Sequence, residues 1–177
     1  MELCGLAVWA PVAYEGPAGE LVKALKFHGA TAIASEMAAL IVANAPERML
    51  AGGPAPEALL AAGPALVPVP LHPGRRRSRA FNQAEAIAAA IAARTGLPLA
   101  VCLARAGPDR RQVGRGRAAR LQGLSRSITA TDRAPREAVL IDDVVTTGAT
   151  LAACAAALRA AGSTDVRAVV FARTAGR

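Results

Sequence analysis

The second half of the chain alternates short, almost continuous apolar runs with longer stretches of helical periodicity. Residues 65–69 (ALVPV), 99–104 (LAVCLA), 139–141 (VLI) and 166–172 (VRAVVFA) are the runs. Their length and their Val and Leu content predict strands buried on both faces. Between them, residues 82–94 predict a helix opened by a capping box of Asn82 with Glu85 and closed near Gly96. Residues 148–161 predict another helix, ending near Gly162. Toward the N-terminus, residues 7–14 predict a strand, and residues 19–27 and 31–50 predict helices with apolar faces. The Gly/Pro-rich segment 51–65, AGGPAPEALLAAGPA, is the best boundary candidate and separates an N-terminal segment, residues 1–60, from a core, residues 61–177. Strands alternating with helices predict an α/β fold, a parallel sheet covered by helices on both faces. Such sheets bind ligands outside the carboxyl ends of their strands. That rule gathers residues 70–81, 105–123 and 142–150 around one crevice.

Composition narrows the picture. A length of 177 residues suits one domain with a sizeable core, and 53% hydrophobic with 19% charged residues suits a globular chain. Aromatics make up only 3%, so Ala, Val and Leu must build the interior. No apolar run reaches membrane-spanning length without interruption, and MELCGLAVWAPVAY has an acid, Glu2, where a signal peptide has basic residues. Cys4, Cys102 and Cys154 are scattered with no CxxC pair, which argues against a zinc site or a disulfide framework and for a reducing cytoplasm.

The net charge of +8 comes almost wholly from arginine, since Lys23 and Lys26 are the only lysines. Arginines cluster at residues 75–79 and 105–126. A nucleic-acid partner and a polyanionic small ligand both account for them. Single-strand binders interleave stacking aromatics with their basic residues, and only Phe81 lies near either cluster.

The sharpest chemical signal is VLIDDVVTTGAT, residues 139–150. A strand delivers Asp142 and Asp143, and a Thr/Gly turn then enters a helix. The unpaired N–H groups and positive dipole end of that helix suit a phosphate, Gly148 allows close approach, and the Thr hydroxyls add donors. Carboxylates repel a phosphate but accept hydrogen bonds from sugar hydroxyls or help to hold Mg²⁺. A ribose 5-phosphate satisfies both parts. A Walker B strand also ends in acids, yet no GxxxxGK[ST] occurs in the chain. A phospho-receiver carries paired acids near its start, with several βα units to follow; one helix and one strand follow here. An ordinary helix N-cap explains the Thr and Asp but not the whole string.

VLIDDVVTTGAT resembles the phosphoribosyl-pyrophosphate (PRPP) motif of type I phosphoribosyltransferases. VPVPLHPGRRRSRAFNQAEAIA and ALKFHG are similar to segments of the ComF family, amidophosphoribosyltransferase-like proteins linked to competence and DNA uptake. The resemblance runs from about Tyr14 onward. It implies a type I phosphoribosyltransferase fold with a small N-terminal hood, binding of PRPP with Mg²⁺, and phosphoribosyl transfer to a small-molecule acceptor. Its alternative is a PRPP-sensing or competence-associated module that touches single-stranded DNA. By position, Asp142 and Asp143 would take the ribose hydroxyls, and Val144, Val145, Thr146, Thr147, Gly148, Ala149 and Thr150 would wrap the 5-phosphate. Arg75, Arg76, Arg77 and Arg79 would lie in the pyrophosphate loop, and Arg105, Gln112 and Arg117 in a loop that closes over the site.

This chain also departs from the pattern. Ala80 stands where the family has Gly, Arg120 where Asn is usual, and only Cys4 remains of a four-cysteine zinc ribbon. Thr146 carries no charge where some members of the wider superfamily have an acid that can act as a base. Lys26 and His28, beside Gly29, read as an exposed helix end, with a substrate contact as the alternative. The apolar N-terminal segment could pair with a second copy.

Overall fold

The computed structural model describes residues 1–3, 5–28, 31–51, 63–71, 81–106, 127–131 and 134–175. Its centre is the predicted parallel sheet. Strand β4 (Ala65–Pro68) lies beside β7 (Glu137–Val145), and β7 lies beside β8 (Asp165–Arg173), all parallel. On the far side of β8 the sheet continues, again in parallel, with β2 (Leu6–Trp9) and β3 (Val12–Ala13); β1 (Glu2–Leu3) turns back antiparallel on β2. The expected single strand over residues 7–14 is thus two short ones. Pro11 stands between them and has no N–H to give to a ladder. Strands β1, β2 and β3 therefore hydrogen-bond, directly or through β2, to the same sheet as the core strands.

Helices cover both faces. On one lie α1 (Gly16–His28), α2 (Thr31–Asn44), α3 (Glu47–Leu50) and α4 (Gln83–Thr95). Their apolar sides, among them Val22, Leu25, Met37, Ile41, Ile87 and Ile91, form one cluster with Leu66, Val139, Ile141, Val169 and Phe171 of the sheet. The other face carries α5 (Ala149–Ala160) and an antiparallel ribbon of β5 (Leu103–Arg105) with β6 (Ile128–Ala130). Leu151, Cys154 and Leu158 pack there on Val67, Leu140 and Val170. The period-two alternation of a strand divides neighbouring residues between the two clusters.

Several expected bounds shift. The helix over residues 31–50 breaks after Asn44, where Pro46 cannot continue an N–H ladder and serves as the N-cap of α3. The strand over residues 99–104 reduces to an isolated bridge, Leu66 to Leu99, followed by β5. In contrast, α4 runs as expected, with Asn82 as its N-cap and Gly96 as a left-handed C-cap at φ 75°.

At the sheet end that carries the amino ends of β7 and β8, Arg167 is 8% exposed. Its Nε donates to the Met49 carbonyl at 3.2 Å, and its other nitrogens reach the Ala51 carbonyl and the Asp165 carboxylate. Glu137 lies 4.0 Å away. The guanidinium thereby fastens the end of α3 to the sheet. Among the described residues, no helix is long and apolar enough to cross a membrane.

Candidate functional site

A cleft of about 520 Å³ opens at the carboxyl ends of the parallel strands. Val69 to Leu71 after β4, the last residues of β7 and Thr174 after β8 form its floor, with Asn82 at the start of α4 and Arg105 at the end of β5 on its walls. Asn82 ties two of these parts together. Its Oδ1 accepts from the Ala84 N–H at 3.1 Å, and its Nδ2 donates to the Val69 carbonyl at 3.1 Å and to Glu85 Oε1 at 3.0 Å. The pair foreseen as a capping box thus meets side chain to side chain.

Asp142 and Asp143 line this cleft from within β7, not from a turn after it. Adjacent strand residues point to opposite faces, and accordingly Asp142 lies toward Cys154 of α5 and Asp143 toward Lys26 of α1. The Asp143 N–H donates to Asp142 Oδ1 at 2.9 Å. Burial and then the Asp143 charge push the Asp142 carboxyl up to about 8, against the opposing pull of the Asp143 N–H and the Lys26 ammonium. Cys154 lies close enough to feel Asp142. Burial first, and that charge second, raise its thiol to about 12, so it is an inert core group and not a nucleophile.

Beyond β7 the chain makes the expected turn. Thr146 and Thr147 are exposed, and Gly148 caps α5 in the left-handed region at φ 74°. The Thr147 hydroxyl sits 3.5 Å from the Ala149 N–H. Residues 144–151 and Asp142 enclose a small hollow of about 50 Å³, of a size for one compact anionic group. Within it Val145 is committed to the core at 3% exposure, so its backbone alone is available. A Cβ on Gly148 would meet Leu3 Cβ at 3.3 Å. Gly148→Ala is therefore expected to cost about 1–2 kcal/mol, from the positive φ and that contact. Thermal unfolding checks it, and an unchanged Tm would mean that the turn relaxes freely.

Of the arginines singled out from the sequence, Arg105 lines the cleft, half-buried. Arg75, Arg76, Arg77, Arg79, Gln112 and Arg117 lie outside the described residues, as do Ala80 and Cys4.

One residue is placed quite differently from its sequence reading. Lys26, expected at an exposed helix end, has its ammonium 2.8 Å from Asp143 Oδ2, with side-chain exposures of 22% and 12% for the pair. The signal was present in the spacing. Val22, Leu25 and Lys26 share the inward stripe of α1, whereas Lys23 faces outward and pairs with Glu20. Tyr14, to which the sequence pattern assigns no role, also lines the cleft.

No family model matches the sequence, and no curated protein does. Among solved structures, the chain is similar to the allosteric regulatory enzyme of purine biosynthesis, at 21% identity and a TM-score of 0.43, over 77% of this chain and 24% of that one. It is also similar to the glutamine PRPP amidotransferase of B. subtilis complexed with ADP and GMP, at 19% identity and a TM-score of 0.47, over 77% of this chain and 26% of that one. The chain thus spans about a quarter of the length of these proteins.

Proposed function

We propose that the cleft binds PRPP and that the protein is a phosphoribosyltransferase of ComF type, passing the phosphoribosyl group to a nitrogen acceptor. The observation that carries this reading is the junction of β7 and α5. Two carboxylates stand beside a small hollow at a helix N-terminus, and a sugar phosphate is the ligand that needs both. Asp142 and Asp143 accept from the ribose hydroxyls, while the N–H groups and hydroxyls of residues 146–150 hold the 5-phosphate. Arg105, with the arginines of residues 75–79, takes the pyrophosphate through planar guanidinium forks. The acceptor nitrogen attacks the anomeric carbon as its bond to the pyrophosphate oxygen breaks. The transition state resembles an oxocarbenium ion, and the electron pair leaves with the pyrophosphate.

Calorimetry of PRPP binding tests the site. The Asp142→Asn, Asp143→Asn double variant is expected to bind at least about tenfold more weakly, since the charged hydrogen bond lost at Asp143 is by itself worth about 1.5–3 kcal/mol. Unchanged affinity would refute the assignment.

Thr146 favours a second reading. This exposed, uncharged side chain supplies no base in the turn. In that reading the protein binds PRPP without turnover, as a sensing or competence-associated module that meets single-stranded DNA through its arginines. Pyrophosphate release with a panel of nitrogen bases separates the two, and steeply salt-dependent DNA binding would speak for the second.

A further inference from the structure

Strand β7 fixes where the Asp143 side chain points, but not how its carboxylate is turned. The pleat sets the direction of the Cα–Cβ bond, whereas the last torsion of an aspartate is broad and roughly two-fold. A carboxylate on its own therefore turns about that bond at little cost. In the cleft each acid is held through one oxygen. Asp142 Oδ1 accepts from the Asp143 N–H at 2.9 Å, a contact made within the strand. Asp143 Oδ2 lies 2.8 Å from the Lys26 ammonium, which comes from α1. Oδ2 is shut off from solvent, so Oδ1 is the oxygen that Asp143 can present to a ligand.

Resting on the PRPP reading of the cleft, we propose that Lys26 is a positioning residue, which holds Asp143 turned so that Oδ1 meets the ribose. Helix α1, in the N-terminal segment, thereby supplies a working part of the site. Val22 and Leu25 are fully buried, so the face of α1 that presents Lys26 is fixed by packing and not by the ion pair alone. Most of the Lys26 side chain is covered, as a long stem laid along apolar surface should be when its charged head reaches a polar partner.

The two lysines of this helix differ in what they can do. Lys23 pairs with Glu20 in open water, where an ion pair holds little in place. The Lys26–Asp143 pair is largely withdrawn from water and is screened far less. It also leaves room for the ligand. A carboxylate has about four lone-pair positions, so Asp143 keeps Lys26 on Oδ2 and still has Oδ1 for a ribose hydroxyl or for a cation carried in on the ligand's phosphates.

A double-mutant cycle on PRPP affinity, measured by calorimetry on the whole protein with excess Mg²⁺ throughout, tests the proposal. Its members are wild type, Lys26→Met, Asp143→Asn and the two substitutions together, with Lys26→Arg beside them. Lys26→Met is expected to bind about tenfold or more weakly than wild type. Lys26→Arg keeps a charged donor for Asp143 and should stay within about threefold of wild type. In the Asp143→Asn background, Lys26→Met should cost less than about twofold, because Lys26 acts only through the carboxylate. A direct contact of Lys26 with the phosphates, or a purely structural role in seating α1, would carry the full loss into both backgrounds and overturn the proposal. Lys26→Met or Asp143→Asn binding as tightly as wild type would also overturn it, as would a loss in Lys26→Arg equal to that in Lys26→Met. Should Lys26→Met prove unfolded by circular dichroism, Lys26→Gln takes its place in the cycle. If neither neutral side chain folds, Lys26 serves the fold and not the site, and the proposal falls while the PRPP site stands. Absence of PRPP binding by wild type overturns the site reading, and this proposal with it.

Discussion

Replacing Arg167 with alanine is expected to destabilise the protein by about 2–4 kcal/mol, mainly through the charged hydrogen bonds it gives to two carbonyls, because its carboxylate partner Asp165 is half exposed. The guanidinium is 8% exposed and serves the carbonyls of Met49 and Ala51 and the carboxylate of Asp165 together. Alanine would leave those carbonyls without their donor and Asp165 and Glu137 without the intervening positive charge. Denaturant unfolding measures the loss, and a change below about 1 kcal/mol, the scale of an exposed pair, would show that solvent already satisfies these groups. The residue sits at the opposite end of the sheet from the cleft. PRPP affinity, measured where the variant is folded, should therefore hold.

The second large effect is a dependence of stability on pH, centred on Asp142. In an unfolded chain an aspartate loses its proton near 3.8, whereas in the folded protein Asp142 keeps it to about 8. Between those values the folded state binds more protons than the unfolded one, so this group makes stability fall as pH rises, and the decline ends above about 8. Asp142→Asn removes the charge at little change of shape. The variant is expected to be more stable than the parent by about 1–3 kcal/mol at pH 8, with the difference shrinking toward pH 4. Denaturant unfolding from pH 4 to pH 9 is the measurement, and parallel profiles for the two proteins would remove the basis for the claim. The same substitution should weaken PRPP binding, so one carboxylate would trade stability against function.

Much of this architecture is written in local pattern. Residues 82–94 and 148–161 carry their own capping signals, and α4 and α5 start and stop within a residue of them. The parallel pairing of β4, β7 and β8 follows from runs too apolar to face water on either side. What local pattern does not hold is anything set by the relation of distant segments. Strand β6 is three residues, ITA, behind a polar arginine-rich stretch, and only its partner β5 makes it a strand. Strand β7 runs on through both acids because β8 continues to pair with it, although charged residues ordinarily mark a strand's end. Lys26 could be placed on the inner stripe of α1, but only the docking of that helix on β7 reveals Asp143 as its partner. The acids were legible as a pair, but their division between two faces was not.

That division means the site has no single foundation. Asp142 stands on the layer built around α5, and Asp143 on the layer built around α1, α2 and α4. The two meet along β7, where the Asp143 N–H reaches Asp142 Oδ1 and the charges of the two carboxyls oppose each other. Each carboxylate is therefore a gauge of a different half of the molecule. Loosening one layer would move one acid first and reach the other through their shared charge, and the cleft keeps its shape only while both layers grip the same strand.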